Sequence, residues 1–227
     1  MKDFNYASIS ECGRRYENED SFGVWEDKDA GRWMGIVCDG LGGHSFGKET
    51  SQLVTDAIME YWKKHADRPD TPEKILRACA YATDALERRT ASSHYNNCGT
   101  TMVMASIHQG LLTVVHVGDS RCYVNRPGEG IIYETKDHTK LDFGWEVLDR
   151  CFFLGKPEAA IPEMVQLDIK KGDRILLCSD GFYKSMPPEI LKARMMDDKT
   201  PCELLDVLAF LCEKNGDDNY TALLNLV

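Results

Sequence analysis

Ile36-Val37-Cys38-Asp39-Gly40-Leu41-Gly42-Gly43 runs an apolar segment straight into an aspartate and then a cluster of glycines. Residues 33–38 have the composition of a buried strand. Asp-Gly is a common hairpin turn, but here a helical stripe follows instead of a second strand, so a hairpin does not account for Asp39. The pattern recurs downstream, at Val117-Gly118-Asp119 and at Cys178-Ser179-Asp180, and a loop runs into an aspartate at Gly216-Asp217-Asp218. A further acidic cluster, Asn18-Glu19-Asp20, precedes Ser21 and Phe22. If these strand ends converge, several carboxylates share a small volume, and like charges that close stay ionised only when cations neutralise them. An all-oxygen donor set suits Mg²⁺ or Mn²⁺ rather than zinc. Two such ions about 3.5–4 Å apart can activate a bridging water and stabilise charge in a phosphoryl transfer.

Outward from this stretch, residues 101–107, 111–117, 122–125, 131–135, 174–178 and 221–227 also read as strands. Helical periodicity appears at Leu53, Val54, Ala57, Ile58, Tyr61 and Trp62; at Ile75, Leu76, Cys79, Ala82 and Leu86; and at Leu204, Leu205, Leu208, Leu211 and Cys212. Thr71-Pro72 and Thr200-Pro201 mark two helix starts, a capping threonine before a proline in the first turn. The order is not an alternating βαβ series, so an α+β domain with helices covering a stacked pair of sheets is expected.

The chain has 227 residues, enough for one domain with a substantial core. Its net charge of −10, from 27 basic and 37 acidic residues, argues against a nucleic-acid partner. No apolar run approaches the roughly 18 residues of a membrane span, and Met1 to Glu11 lack the apolar block of a signal peptide. No membrane partner, a cytoplasmic location and a monomer are expected. The nine cysteines are scattered, odd in number and without a CxxC pair, which suggests reduced core thiols. Residues 42–48 fit the GxxxxGK part of a phosphate loop, yet Glu49 stands where Ser or Thr should follow and would repel nucleotide phosphates.

Taken in order, the segments Gly13-Arg14-Arg15-Tyr16-Glu17-Asn18-Glu19-Asp20-Ser21, Asp39-Gly40-Leu41-Gly42-Gly43-His44, Gly99-Thr100-Thr101, Val117-Gly118-Asp119-Ser120-Arg121, Asp137-His138-Thr139, Ser179-Asp180-Gly181 and Asp218-Asn219-Tyr220-Thr221 cover almost the whole chain. This set resembles the metal-dependent type 2C family of protein serine/threonine phosphatases, in its compact bacterial form. The resemblance implies a four-layer αββα sandwich, two antiparallel sheets flanked by helices, with metals in a channel at one edge. It implies that Asp39 bridges two Mn²⁺ or Mg²⁺ ions, that Asp180 and Asp218 complete the first site, and that Glu19 and the Gly40 carbonyl serve the second. Asp20 would act through a metal-bound water, and Asp119, with Asp180, matches the position of a third, weaker ion in bacterial relatives. Arg15 would grip the substrate phosphate through two parallel hydrogen bonds.

The implied reaction on a phosphorylated protein is in-line attack by a metal-bound hydroxide on phosphoserine or phosphothreonine, without a phosphoenzyme. The leaving alkoxide needs a proton, from a histidine or from another metal-bound water. Leu41 stands where eukaryotic relatives carry a histidine; the nearest one here, His44, is either that acid or a solvent-facing loop residue. His138 is expected to be structural.

Two departures stand out. The interval from Gly13 to Asn18 is one residue shorter than in many bacterial relatives, although the spacing from Arg15 to Glu19 is kept. The larger departure lies between Asp137 and Val165, where family members usually carry a longer insert that forms a flap, so by this resemblance the chain reads as a single catalytic domain over residues 1–227 with a shortened flap around 138–164. Trp145 and Phe152 either cover part of the gap or pack in the core. Two rival functions remain open at this point, a pseudophosphatase serving as a phosphopeptide-binding module and a two-metal hydrolase of small phosphate esters. The presence of Asp39, Asp180 and Asp218 together argues against the first.

Overall fold

The computed structural model describes residues 4–41, 46–90 and 98–227. Along the chain run β1 (Asn5–Glu11), β2 (Asp20–Asp27), β3 (Arg32–Asp39), α1 (Gly47–Lys64) and α2 (Pro72–Thr90). Then come β4 (Gly99–Thr100), β5 (Met102–His108), β6 (Leu111–Val117), β7 (Arg121–Arg126) and β8 (Gly130–Glu134). A hairpin of β9 (Thr139–Asp142) and β10 (Trp145–Leu148) leads to β11 (Phe152–Phe153) and a 3-10 turn at Pro157–Ala160. The last elements are β12 (Glu163–Asp168), β13 (Arg174–Cys178), α3 (Asp180–Lys184), α4 (Pro188–Arg194), α5 (Pro201–Asn215) and β14 (Tyr220–Leu226).

Side chains alternate across a strand, and in this chain both faces of the central strands are apolar. Met34, Ile36 and Cys38 of β3 turn to Val54, Ile58 and Trp62 of α1 and to Ile75 and Ala82 of α2. Val37 belongs instead to a cluster with Val103, Val124, Ile175 and Leu177, which fills the space between the sheets. On the far side, Leu176 and Cys178 pack against Phe182, Leu191, Leu204 and Leu208 of the last three helices. Two five-stranded antiparallel sheets result, ordered β1-β14-β13-β7-β8 and β12-β6-β5-β3-β2, with helices outside each. This is the expected αββα sandwich.

Both helix starts behave as expected. Thr200 and Glu203 form a reciprocal capping box, and Thr71 Oγ1 accepts from the Lys74 amide at 3.2 Å. The expected strands are present, with ends shifted by one residue or less. Strands β1, β2, β4, β9, β10, β11 and β12 and the short helices α3 and α4 were not anticipated. Phe152 is buried under α1 and α2, whereas Trp145 is 77% exposed on the β9–β10 hairpin.

Antiparallel pairing brings the acidic segments to one end of the sandwich. Asp39 ends β3 where Asp20 begins β2, and the two are Cα partners. Asp119 follows β6, Asp180 follows β13, and Asp218 precedes β14.

Candidate metal centre

A web of backbone and hydroxyl contacts fixes Asp39 at the end of its strand. Its amide donates to Thr101 Oγ1 at 3.0 Å, and its carbonyl accepts from the Thr101 amide at 2.9 Å and from Thr100 Oγ1 at 2.8 Å. Thr101 Oγ1 shares a 2.6 Å hydrogen bond with Ser120 Oγ, tying this strand end to the Asp119 loop. The turn that follows needs glycine, because a Cβ on Gly40 would strike the backbone of Gly47 and the Glu19 carbonyl. The Gly40 amide donates to that carbonyl at 3.2 Å, and Ser51 Oγ of α1 also donates to it at 2.5 Å.

The second sheet supplies the other half. Ser179 Oγ donates to Asp20 Oδ2 at 2.7 Å and accepts from the Thr221 amide at 2.9 Å, joining the two sheets at the site. Asn219 holds the loop that carries Arg15 and Glu19. Its Nδ2 donates to the carbonyls of Cys12 at 2.8 Å and Glu17 at 2.9 Å, while its Oδ1 accepts from the Glu19 amide at 2.9 Å. Arg15 Nη2 pairs with Asp218 Oδ2 at 2.9 Å, the guanidinium remaining largely exposed. Lys184, one helical turn after Asp180, places Nζ 2.7 Å from Asp180 Oδ2 and 3.7 Å from Asp119 Oδ2.

These carboxylates raise one another's affinity for protons. Burial, then the charges of Asp20, Asp180 and Asp119, push Asp39 well above its ordinary value. Burial pushes Asp20 up to about 7, against its hydrogen bond from Ser179. Burial and the neighbouring Asp180 push Asp119 to about 6, and burial followed by Glu17 raises Glu19. Asp20 Oδ1 is buried without a hydrogen-bond partner. A buried carboxylate oxygen with no donor, beside several acids driven toward protonation, marks a place short of positive charge. Oxygen-only ligands suit hard divalent cations, so the residues present fit a Mg²⁺ or Mn²⁺ centre. A cleft of about 700 Å³ opens over them, with Tyr16 and Leu148 of β10 among its walls.

Arg15, Glu19, Asp39, Gly40, Asp119, Asp180 and Asp218 all line this cleft, with Asp20 buried just behind, paired in register with Asp39. His44 lies outside the described residues. His138 does not line this cleft. It stacks on His116 at 4.3 Å, takes a hydrogen bond from the Gly118 amide at Nδ1, and turns Nε2 to Glu163 at 3.4 Å. With His116 Nε2 held by the Lys136 carbonyl at 2.9 Å, the pair acts as support for the loop before Asp119. Sequence reasoning gave no role to Thr101, Ser120, Ser179 or Asn219, although all four lie inside the quoted motifs; Ser51 and Lys184 carry no local signal at all.

An acidic, oxygen-only cluster at the end of a double-sheet sandwich is the apparatus of a metal-dependent phosphatase. Residues 12–223 match the protein phosphatase 2C family, and the chain belongs to it. It is 29% identical to the serine/threonine phosphatase stp of Listeria monocytogenes over 92% of this chain and 90% of that one. With the serine/threonine protein phosphatase PstP of Mycobacterium tuberculosis it shares 27% identity over 96% of its own length and 44% of the relative's. The PstP catalytic domain, solved in complex with two manganese ions, superposes with a TM-score of 0.79 at 27% identity, covering 98% of this chain and 97% of that one. The serine/threonine phosphatase of S. agalactiae, at 22% identity, shares the fold with a TM-score of 0.84 over 99% of this chain and all of that one.

Proposed function

We propose that this chain hydrolyses phosphoserine and phosphothreonine on proteins, with two Mn²⁺ or Mg²⁺ ions held by Glu19, Asp39, the Gly40 carbonyl, Asp180 and Asp218. Asp20 contributes through ordered water. The observation that carries this reading is the convergence of these carboxylates from both sheets on one cleft, with Asp20 Oδ1 buried and unpartnered. Such ions, when bound, lower the pKa of water and neutralise charge on a transferring phosphoryl group.

The protein's own groups orient the reaction. Asp39, pinned by Thr100 and Thr101, presents its carboxylate beside that of Asp20. Arg15, at the mouth of the cleft, can turn its planar fork from Asp218 to an incoming phosphate. His44, three residues beyond Leu41, is the nearest histidine in the sequence for protonating the leaving alkoxide. In a single catalytic domain over 1–227, the shortened flap around 138–164 is the β9–β10 hairpin and the turns after it, which leaves the mouth open to a phosphorylated loop. Seven buried free cysteines suit a reducing, cytoplasmic setting. Among the described residues, no helix is long and apolar enough to cross a membrane.

The test is phosphate release from a phosphothreonine peptide and from p-nitrophenyl phosphate, with Mn²⁺, with Mg²⁺ and with EDTA, alongside Asp39→Asn. Metal-dependent release that favours the peptide and collapses in the variant is expected. Folded protein that releases no phosphate with either metal would overturn the proposal.

A further inference from the structure

The carboxylates at the strand ends need cations, and one of these is already built into the chain. Lys184 lies four residues after Asp180 at the end of α3, so its side chain returns along the same helix face. Its ammonium donates to Asp180 and reaches toward Asp119, at 2.7 and 3.7 Å. These two aspartates are the pair that the family resemblance assigns to a third, weaker ion. We infer that Lys184 takes the place of that third cation, leaving this chain with two divalent ions and one resident ammonium. The inference rests on the two-metal reading above.

The surroundings fix the helical turn from which Lys184 departs, while its own side chain is 55% exposed and held by Asp180 and Asp119. Tyr183 is buried, with the Arg121 guanidinium 3.9 Å over its ring and its hydroxyl donating to Asp137 Oδ2 at 3.4 Å. Arg121, two residues beyond Asp119, is committed to Asp137 through two bonds of 2.8 and 2.9 Å. Ser185 Oγ donates to the Gly181 carbonyl at 2.5 Å, fixing the turn of helix from which Lys184 departs. A divalent ion placed between Asp119 and Asp180 would lie within a few ångströms of the ammonium, where like charges repel. Meanwhile the lysine already supplies part of the positive charge those carboxylates require. Its attachment to the chain removes the entropy cost of recruiting an ion from solution, so the position stays filled at low metal concentration.

The experiment counts bound Mn²⁺ per chain by electron paramagnetic resonance of the free ion. It compares the wild type with Lys184→Met and Lys184→Gln, which remove the charge, and with Lys184→Arg, which keeps it. Two ions are expected in the wild type and in Lys184→Arg. Both neutral variants should bind three, the third more weakly, and adding Asp119→Asn to Lys184→Met should return the count to two. Two ions in both neutral variants, or three in the wild type, would overturn the inference. A wild type that binds no Mn²⁺ would overturn the two-metal reading instead, an outcome distinct from either. Thermal melting of each variant shows whether the fold is kept, and the two neutral substitutions guard against one of them failing to fold.

Discussion

Replacing Asn219 with alanine should loosen the loop that carries Arg15 and Glu19 without removing a single carboxylate. The amide side chain is buried and makes three hydrogen bonds, to the Cys12 and Glu17 carbonyls and from the Glu19 amide, each 2.8–2.9 Å long. At about 1 kcal/mol net for each, their loss costs roughly 3 kcal/mol. For a domain of this size that lowers Tm by roughly 6–12 °C. The larger effect should fall on metal use, because groups that orient ligands are worth about 10–100-fold in metal affinity or activity. Mn²⁺ titrations of phosphatase activity would show half-saturation moving up by such a factor, while kcat at saturating metal falls less. Melting curves on the same samples give the stability change. A variant that melts within a degree of wild type and half-saturates at the same Mn²⁺ concentration would refute the argument, and a fall in Tm alone would reduce Asn219 to a structural role.

Other perturbations have equally definite outcomes. Asp70 accepts from Lys74 at 2.9 Å, Arg32 at 3.2 Å and Ser106 at 2.8 Å, and all three charged side chains are buried. Asp70→Ala strands two cations and should cost about 3–5 kcal/mol in denaturant unfolding, with activity per folded molecule kept. Gly40→Ala drives a Cβ into the backbone of Gly47 and Glu19; at saturating Mn²⁺, kcat/KM should fall about 100-fold, and a near-normal value would show that the turn can yield. His116 and His138 are both shifted below the ordinary histidine value, chiefly by burial, with Glu163, Asp137 and Arg150 among the facing charges. The folded protein therefore binds fewer protons than the unfolded chain as pH falls through about 6.5, so their contribution to stability is present above that pH and is lost below it. Melting of the wild type and His116→Gln from pH 7.5 to 5.5 should show a shallower acid decline in the variant, and parallel curves would discount the pair.

What the sequence revealed followed burial. Strands β3, β5, β6, β7, β13 and β14 lie inside the sheets with apolar side chains on both faces, and their runs were plain to read. Of the strands that escaped, β1, β2 and β12 are edge strands with one paired side and mixed composition, as in Asp20-Ser21-Phe22-Gly23-Val24-Trp25, and β4, β9, β10 and β11 are pieces of two to four residues outside the two large sheets. Edges are kept polar to discourage further pairing, which weakens the periodic signal, although the edge strand β8 stayed legible through Ile131, Ile132 and Tyr133. Asp39, Asp119 and Asp180 were legible because each follows an apolar strand, and Glu19, Asp20 and Asp218 because they sit in acidic clusters of the ordered motif set, yet Asn219 and Lys184 were not. Their roles depend on what lies across space, two hundred residues away for the Asn219 contact to Glu19 and in a different loop for Lys184 and Asp119.

Seven of the nine cysteines are buried, one in the middle of the sandwich and the others spread through its layers, and burial pushes Cys38 and Cys79 up to about 12. In the native state these thiols are shielded from peroxide and alkylating agents, since the reactive thiolate is scarcely formed and no reagent reaches it. Cys202 is exposed and Cys12 half-buried, leaving these two as the ready targets. Unfolding reverses the situation at a stroke, releasing many ordinary thiols at once to cross-link in wrong combinations. Heating in air should therefore be a one-way passage, with recovery of native protein governed by the reductant present during cooling.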